Sequence, residues 1–241
     1  ALRLKDAHPG STVTILTMGP GRAAEIIREG LFRGADNGYL LTDRAFAGAD
    51  TLATSYALAT AIKKIGEYDI IIGGRQAIDG DTAQVGPQVA EKLGLTQITY
   101  AEEILNVEKT TGRVVVKRHI DGGVETVEGP LPIVITVNGS AAPCRPRNAK
   151  RVMQFKYAVS PSEKAKLSEE LAALVDKRPG LNLQEWSAAF VEADPEQIGM
   201  PGSPTKVKAI ENVVFTAKES LRLDDNDEPV SYTHLTLPTI A

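Results

Sequence analysis

The residues most able to do chemistry stand in a glycine-rich segment that contains two carboxylates, residues 73–87 (GGRQAIDGDTAQVGP). An apolar run, residues 68–72, precedes it, and a helical pattern that ends at Gly94 follows it. Open α/β sheets bind ligands at the carboxyl ends of their strands, and backbone N–H groups at a helix start attract phosphate. Small residues such as Gly80 and Gly86 would let a ligand approach the backbone closely. The segment therefore predicts an anion site that suits the phosphates of an adenine nucleotide.

Two other interpretations of this segment stay open on residue types alone. Asp79, Gly80 and Asp81 are also typical of a turn followed by a helix N-cap, with no ligand involved. Asp79 and Asp81 could instead be magnesium ligands in a phosphotransferase. The segment has neither a P-loop nor a G-x-G-x-x-G dinucleotide motif. The helix that follows it could begin at Asp81 or as late as Pro87, since proline is favoured at a first helical position.

Alternating strand and helix patterns predict the fold that positions this segment. Apolar strands spaced by helices indicate parallel pairing through crossover connections. The helices include residues 22–33, which Gly34 ends, and a helix that Asp50 caps and Gly66 ends. We therefore expect an α/β fold with an open, mostly parallel sheet flanked by helices. The strands expected in that one sheet are residues 12–18, 39–42, 68–73 and 132–137.

The second half of the chain has a different pattern. Three short runs separated by glycine-containing turns predict a small antiparallel extension: residues 104–107, 113–119 and 124–127. Residues 161–176 predict one charged surface helix, with Ser160 and Glu163 as a capping box. After Pro179 the chain resembles a loop, so we expect an arm that buries little apolar surface within this chain and packs on a partner.

These patterns predict three regions. Residues 1–158 would form a nucleotide-binding α/β domain whose first strand precedes Ala1, and residues 159–222 would form the surface helix and partner-binding arm. Residues 223–241 are expected to be a disordered or artefactual tail.

A net charge of −4 and the absence of basic runs argue against nucleic-acid partners. The sequence has no run of 18 apolar residues, so we expect no membrane insertion. The lone Cys144 is expected to be an unpaired thiol in the cytoplasm, and three His with one Cys predict no metal site.

The segment resembles the nucleotide-binding loop of the electron-transfer flavoprotein β subunit in its pattern GRQAIDxDxxQxG, residues 74–86. Similar motifs follow in the same order at residues 120–123, 131–137 and 202–207. The resemblance implies an adenine-nucleotide-binding fold that pairs with an α subunit and needs no catalytic acid or base. It implies cofactor contacts at Met18, Gly19, Asp43, Arg44, Thr51, Gln76, Asp79, Gly80, Asp81, Thr82, Ala83, Gln84, Val85 and Gly86.

A second loop, residues 41–51 (LTDRAFAGADT), is similar to that of electron-bifurcating members of the family. In those members the β subunit carries FAD, whereas respiratory members carry AMP there. The resemblance implies that electrons from NADH separate, one to ferredoxin or flavodoxin and one through the α-subunit FAD to an acyl-CoA dehydrogenase. Arg44 could compensate a reduced, anionic flavin. The alternatives are a respiratory AMP-binding subunit, a stand-alone adenine-nucleotide-binding regulator of the universal-stress-protein kind, and the phosphotransferase above.

Overall fold

In a computed structural model of the chain, the described residues are 1–78 and 80–205. Strands and helices alternate through its first half and give way to a β-meander in the middle. The strands are β1 Thr14–Met18, β2 Asn37–Leu41, β3 Ile70–Gly74, β4 Thr96–Glu108, β5 Arg113–Ile120, β6 Gly123–Pro130, β7 Ile133–Val137 and β8 Gln184–Trp186. The helices are α1 Leu2–Ala7, α2 Ala24–Arg33, α3 Thr51–Ile65, α4 Val85–Leu93, α5 Ala149–Phe155, α6 Pro161–Lys164 and α7 Glu169–Asp176.

Local side-chain chemistry sets the ends of these helices, as the sequence predicts. The Asp50 carboxylate accepts hydrogen bonds from the first turn of α3, which ends at Gly66. Helix α4 ends at Gly94, whose left-handed conformation (φ 66°) closes the last turn. Ser160 and Glu163 form the expected capping box at α6.

The α/β fold is confirmed, and its parallel strands lie in two hydrogen-bonded sheets. One sheet has the order β1-β2-β8 and is wholly parallel. The other has the order β3-β7-β4-β5-β6, in which β3, β7 and β4 are parallel and β5 and β6 extend it antiparallel. The expectation of one continuous sheet is wrong, because no ladder joins β1 to β3 within the described residues. The predicted antiparallel extension is confirmed.

The expectation that residues after Pro179 bury little apolar surface within this chain is wrong. Leu181 and Leu183 pack with Ile27 and Leu40 in one hydrophobic cluster. Trp186 and Leu41 belong to a second hydrophobic cluster. Trp186 is 7% exposed, and the centroid of its ring lies 4.3 Å from that of Tyr39. We call residues 187–205 the C-terminal segment. Two residues of this segment, Val191 and Ile198, are buried in the same cluster as Trp186. The partner-binding role of this region stays a prediction, and residues 206–222 lie outside the described part.

The expected helix over residues 161–176 is two short helices. Helix α6 stops at Lys164, and α7 begins after Ser168, whose hydroxyl accepts a hydrogen bond from the Leu171 N–H. Serine competes for backbone groups and so favours a cap over a helix interior. Arg28 of α2 donates to the Glu163 carboxylate and to the Ala158 carbonyl, which fixes α6 to the domain. In the described residues, no helix has the length and apolar character needed to cross a membrane.

Candidate functional site

The first turn of α4 leaves its backbone donors open. Gln84, at the N-cap position, makes no side-chain capping bond. The Asp81 N–H donates to the Ala77 carbonyl at 3.1 Å. The next five N–H groups, of residues 82–86, have no acceptor among the residues that the structure describes. Unpaired N–H groups at a helix start carry the positive end of the helix dipole and bind anions.

Two non-glycine residues in this loop adopt left-handed backbone conformations. Asp81 has φ 50° and Ala83 has φ 53°; this conformation costs on the order of 1–2 kcal/mol for alanine and less for aspartate, whose short polar side chain tolerates it. Successive N–H groups in turn and left-handed conformations form concave anion sites. The Gln76 side-chain amide donates to the Asp81 carboxylate and supports the turn. The loop therefore fits a phosphate group on the grounds of both its open donors and its backbone shape.

The glycines of the segment differ in what surrounds them. A Cβ added at Gly74 or Gly80 would meet nothing within 4 Å, so a ligand can approach the backbone there. A Cβ at Gly86 would lie 2.4 Å from Cγ2 of Thr136, a buried residue of β7. Close packing of α4 on β7 therefore accounts for Gly86, and the expected ligand approach is not needed to explain it.

The second predicted loop, residues 41–51, is held in part by the carboxylate of Asp43. Asp43 Oδ1 accepts from the Ala45 N–H and Oδ2 from the Ala188 N–H, each at 3.1 Å. Both oxygens therefore bind the protein itself. Arg44 is exposed, and its guanidinium forms no ion pair within residues 1–78 and 80–205. Arg44 is the side chain of this loop that is available to a bound anion.

The two loops meet at the start of α3. The Thr51 hydroxyl donates to Gln84 Oε1 at 2.9 Å. This contact brings the loop that ends at Thr51 next to the open N–H groups of α4. Met18 and Gly19 lie at the end of β1, where Met18 packs on the cluster around Trp186 and the Gly19 N–H donates to the Leu41 carbonyl at 3.1 Å. Core packing and strand pairing thus account for this pair.

Asp50, Ser203 and Thr205 also lie in this region, although the sequence analysis did not assign them to the site. The Asp50 N–H donates to Ser203 Oγ at 2.8 Å, and Asp50 Oδ2 accepts from the Thr205 N–H at 3.0 Å. Burial alone would raise the pKa of Asp50, but hydrogen bonds from the Ala53, Thr205 and Leu52 N–H groups outweigh it and lower the pKa. The signal in the sequence was the motif at residues 202–207, whose place in the fold could not be read.

Three residues of the predicted motifs lie outside the described part of the chain: Asp79, Lys206 and Val207. Within the described part, no group of three or more His, Cys, Asp and Glu side chains could hold a metal ion. Cys144 is a free, exposed thiol in the loop between β7 and α5, as expected.

Comparisons with known proteins identify the family. Residues 1–162 match the Electron transfer flavoprotein domain. The chain belongs to the electron transfer flavoprotein family. It is 41% identical over 240 residues to the electron transfer flavoprotein subunit beta of Megasphaera elsdenii, covering 95% of this chain and 77% of that protein.

Two further relatives of this flavoprotein-family chain are about equally similar. Protein FixA of Azorhizobium caulinodans is 43% identical over 216 residues, or 87% of this chain and 68% of FixA. The caffeyl-CoA reductase-Etf complex subunit CarD of Acetobacterium woodii is 39% identical over 207 residues, or 86% of this chain and 69% of CarD. The predicted relation to electron-transfer flavoprotein β subunits is confirmed.

Proposed function

We propose that this chain is the FAD-binding β subunit of an electron-bifurcating electron-transfer flavoprotein. Its partner is an α subunit. The observation that carries the proposal is the run of five backbone N–H groups, residues 82–86, that has no protein acceptor in the described structure. The pyrophosphate of FAD supplies the acceptors that these groups lack, and the dipole of α4 favours its negative charge.

The residues of this chain bind and orient the nucleotide, whereas the bound flavin supplies the redox chemistry. Gly80 lets the phosphate approach the backbone closely, because a Cβ there would meet nothing within 4 Å. The strained backbone at Asp81 and Ala83 holds the N–H groups ready before the ligand binds. No side chain of the site is required to move a proton.

The choice of FAD over AMP rests on the loop of residues 41–51. Both nucleotides have a phosphate for the α4 donors, but only FAD extends an isoalloxazine ring that can become anionic. Arg44 is exposed and lacks an ion-pair partner among the described residues, so its charge is available to that ring. The resemblance of this loop to that of electron-bifurcating members of the family supports the bifurcating type.

The remaining assignments follow from the bifurcating type. NADH is the electron donor, and ferredoxin or flavodoxin and an acyl-CoA dehydrogenase are the acceptors. We place the protein in the cytoplasm. No residue described above distinguishes one acyl-CoA dehydrogenase from another.

The test is the nucleotide content of the heterodimer that the full-length β subunit forms with its α subunit. Acid release should yield two FAD and no AMP per heterodimer. One FAD with one AMP would reject the bifurcating assignment, and no nucleotide on the β subunit would reject the site. Arg44→Ala should retain both FAD molecules and make the β-site flavin harder to reduce, because only the reduced anion gains from that charge. An unchanged potential would remove Arg44 from the flavin's surroundings.

A further inference from the structure

Asp50 connects three pieces of the chain through separate hydrogen bonds. Its Oδ1 accepts from the N–H groups of Leu52 and Ala53 at 2.9 and 3.0 Å, which caps α3. Its Oδ2 accepts from the Thr205 N–H at 3.0 Å, and its own N–H donates to Ser203 Oγ at 2.8 Å. The carboxylate is therefore shared between the start of α3 and the end of the C-terminal segment.

The residue after Asp50 continues this connection to the proposed nucleotide loop. The hydroxyl of Thr51 donates to Gln84 Oε1 at 2.9 Å, and Gln84 stands at the N-cap position of α4. Helices α3 and α4 also pack against each other. Hydrogen bonds thus join Ser203 and Thr205 to Asp50, and the next residue in the chain, Thr51, to the side chain of Gln84, whose own backbone N–H is one of the open groups.

The C-terminal segment has little freedom to move independently of these hydrogen bonds. Ser203 is 2% exposed, and its hydroxyl donates to the Gly199 carbonyl at 2.6 Å. A Cβ at Gly199 would lie 2.1 Å from the Ala45 carbonyl oxygen, and one at Gly48 would lie 2.5 Å from Met200 Cγ. Backbone packed this closely transmits a displacement because it has no space in which to absorb it.

We propose that Asp50 is a positioning residue that couples docking of the C-terminal segment to nucleotide binding at residues 82–86. This inference rests on the proposed function, in which those N–H groups hold the nucleotide phosphate. Coupling between two sites is reciprocal. Docking of residues 203–205 therefore raises the affinity for nucleotide, and bound nucleotide stabilises the docked segment by the same factor.

The test uses Asp50→Asn in the heterodimer. An amide has one acceptor oxygen, so the variant can serve the α3 cap or the Thr205 N–H but not both, and asparagine is as good an N-cap as aspartate. We expect the dissociation constant of β-site FAD, measured by equilibrium dialysis, to rise about fivefold, the low end of typical coupling. The matched control is Asp36→Asn, because Asp36 also accepts a backbone N–H, from Val13 at 2.8 Å. It should leave the constant unchanged.

A double-mutant cycle separates coupling from a general loss of stability. Thr51→Val removes the hydroxyl that reaches Gln84, so Asp50→Asn should have no further effect on FAD affinity in that background. Thr60→Val is the control, since Thr60 donates only within α3, to the Tyr56 carbonyl. An unchanged FAD constant for Asp50→Asn alone would overturn the proposal, and so would effects of the two variants that simply add.

A measurement without nucleotide keeps this inference distinct from the proposed function. Asp50→Asn should speed hydrogen exchange in the first bonded turn of α4, where the Gln88 N–H donates to the Gln84 carbonyl at 3.0 Å. Asp36→Asn should not. If the wild-type β subunit binds neither FAD nor AMP, the proposed function fails while faster exchange still supports the connection. Unchanged exchange at residues 88–90 would overturn the connection itself.

Discussion

Helices α3 and α4 begin in neighbouring loops, and their first turns are completed differently. At α3 the Asp50 carboxylate accepts two N–H groups of the first turn. At α4 the Gln84 side chain accepts the Thr51 hydroxyl instead and leaves the helix donors open. The first N–H groups of both helices have no partner within the helix itself. The Asp50 side chain satisfies two of them at α3, whereas the described residues offer no acceptor to those of α4.

Under the proposed function, this difference separates a helix start that stabilises the fold from one that binds the nucleotide. A carboxylate at an N-cap satisfies the donors and repels any other anion. An uncapped start costs stability until an anion binds, so the missing cap at Gln84 is in keeping with the proposed nucleotide site. Substitution of the N-cap residue of α4, Gln84, therefore tests this comparison directly.

The largest expected effect concerns the packing that holds α4 in place. Gly86→Ala should lower the free energy of unfolding by about 2 kcal/mol, typical of overpacking, because its Cβ would lie 2.4 Å from Thr136 Cγ2. Urea unfolding measures the change. Thr136→Ser removes the clashing methyl group and should restore most of the loss in the double variant. If Thr136→Ser gives no rescue, the requirement for glycine has another cause.

The next largest effect comes from giving α4 the cap that α3 has. Gln84→Asp should stabilise the nucleotide-free protein by about 1 kcal/mol, because it satisfies a helix donor. It should weaken nucleotide binding about tenfold, because the carboxylate competes with the phosphate. Gln84→Asn is the matched control: it loses the same contact with Thr51 but adds no charge, so it should weaken binding less. Equal affinity in Gln84→Asp and wild type would refute the anion site.

The smallest effect is the pH dependence of the α3 cap. The pKa of Asp50 is lower in the folded protein than its unfolded value of about 3.9. Its charge therefore stabilises the fold above about pH 4, and this contribution is lost as the pH falls through the folded pKa. Asp50→Asn should be less stable than wild type by about 0.5 kcal/mol at pH 7, and the gap should shrink towards pH 3. Urea unfolding at both pH values checks the sign.

Much of the fold could be predicted because it depends on local chemistry. The Asp50 cap, the stop at Gly94 and the capping box at Ser160 each depend on residues within one turn. The path of the chain after Pro179 could not be predicted. Strand β8 has three residues, too few to show an alternating pattern, and its partner β2 lies more than 140 positions earlier. Only the three-dimensional contacts reveal that Trp186 belongs to the core.

The candidate site was predictable as a segment but not as a set of contacts. The glycines and carboxylates of residues 73–87 locate the loop, because a strand followed by a helix start is a sequence pattern. The left-handed conformations of Asp81 and Ala83 have no such sequence pattern, because residues other than glycine adopt them infrequently and alanine is not among those that favour them. The tertiary bonds of Asp43 to the Ala188 N–H and of Asp50 to residues 203 and 205 likewise leave no local pattern.

The exposed thiol of Cys144 gives this chain a single point of chemical attachment. The sequence contains one cysteine, and its side chain is exposed and free in the loop between β7 and α5. A maleimide dye or a nitroxide added to this chain alone therefore labels one position, without any replacement of native residues. Energy transfer or spin-label distances from that position to a bound flavin, or to a labelled partner, can then follow assembly in solution.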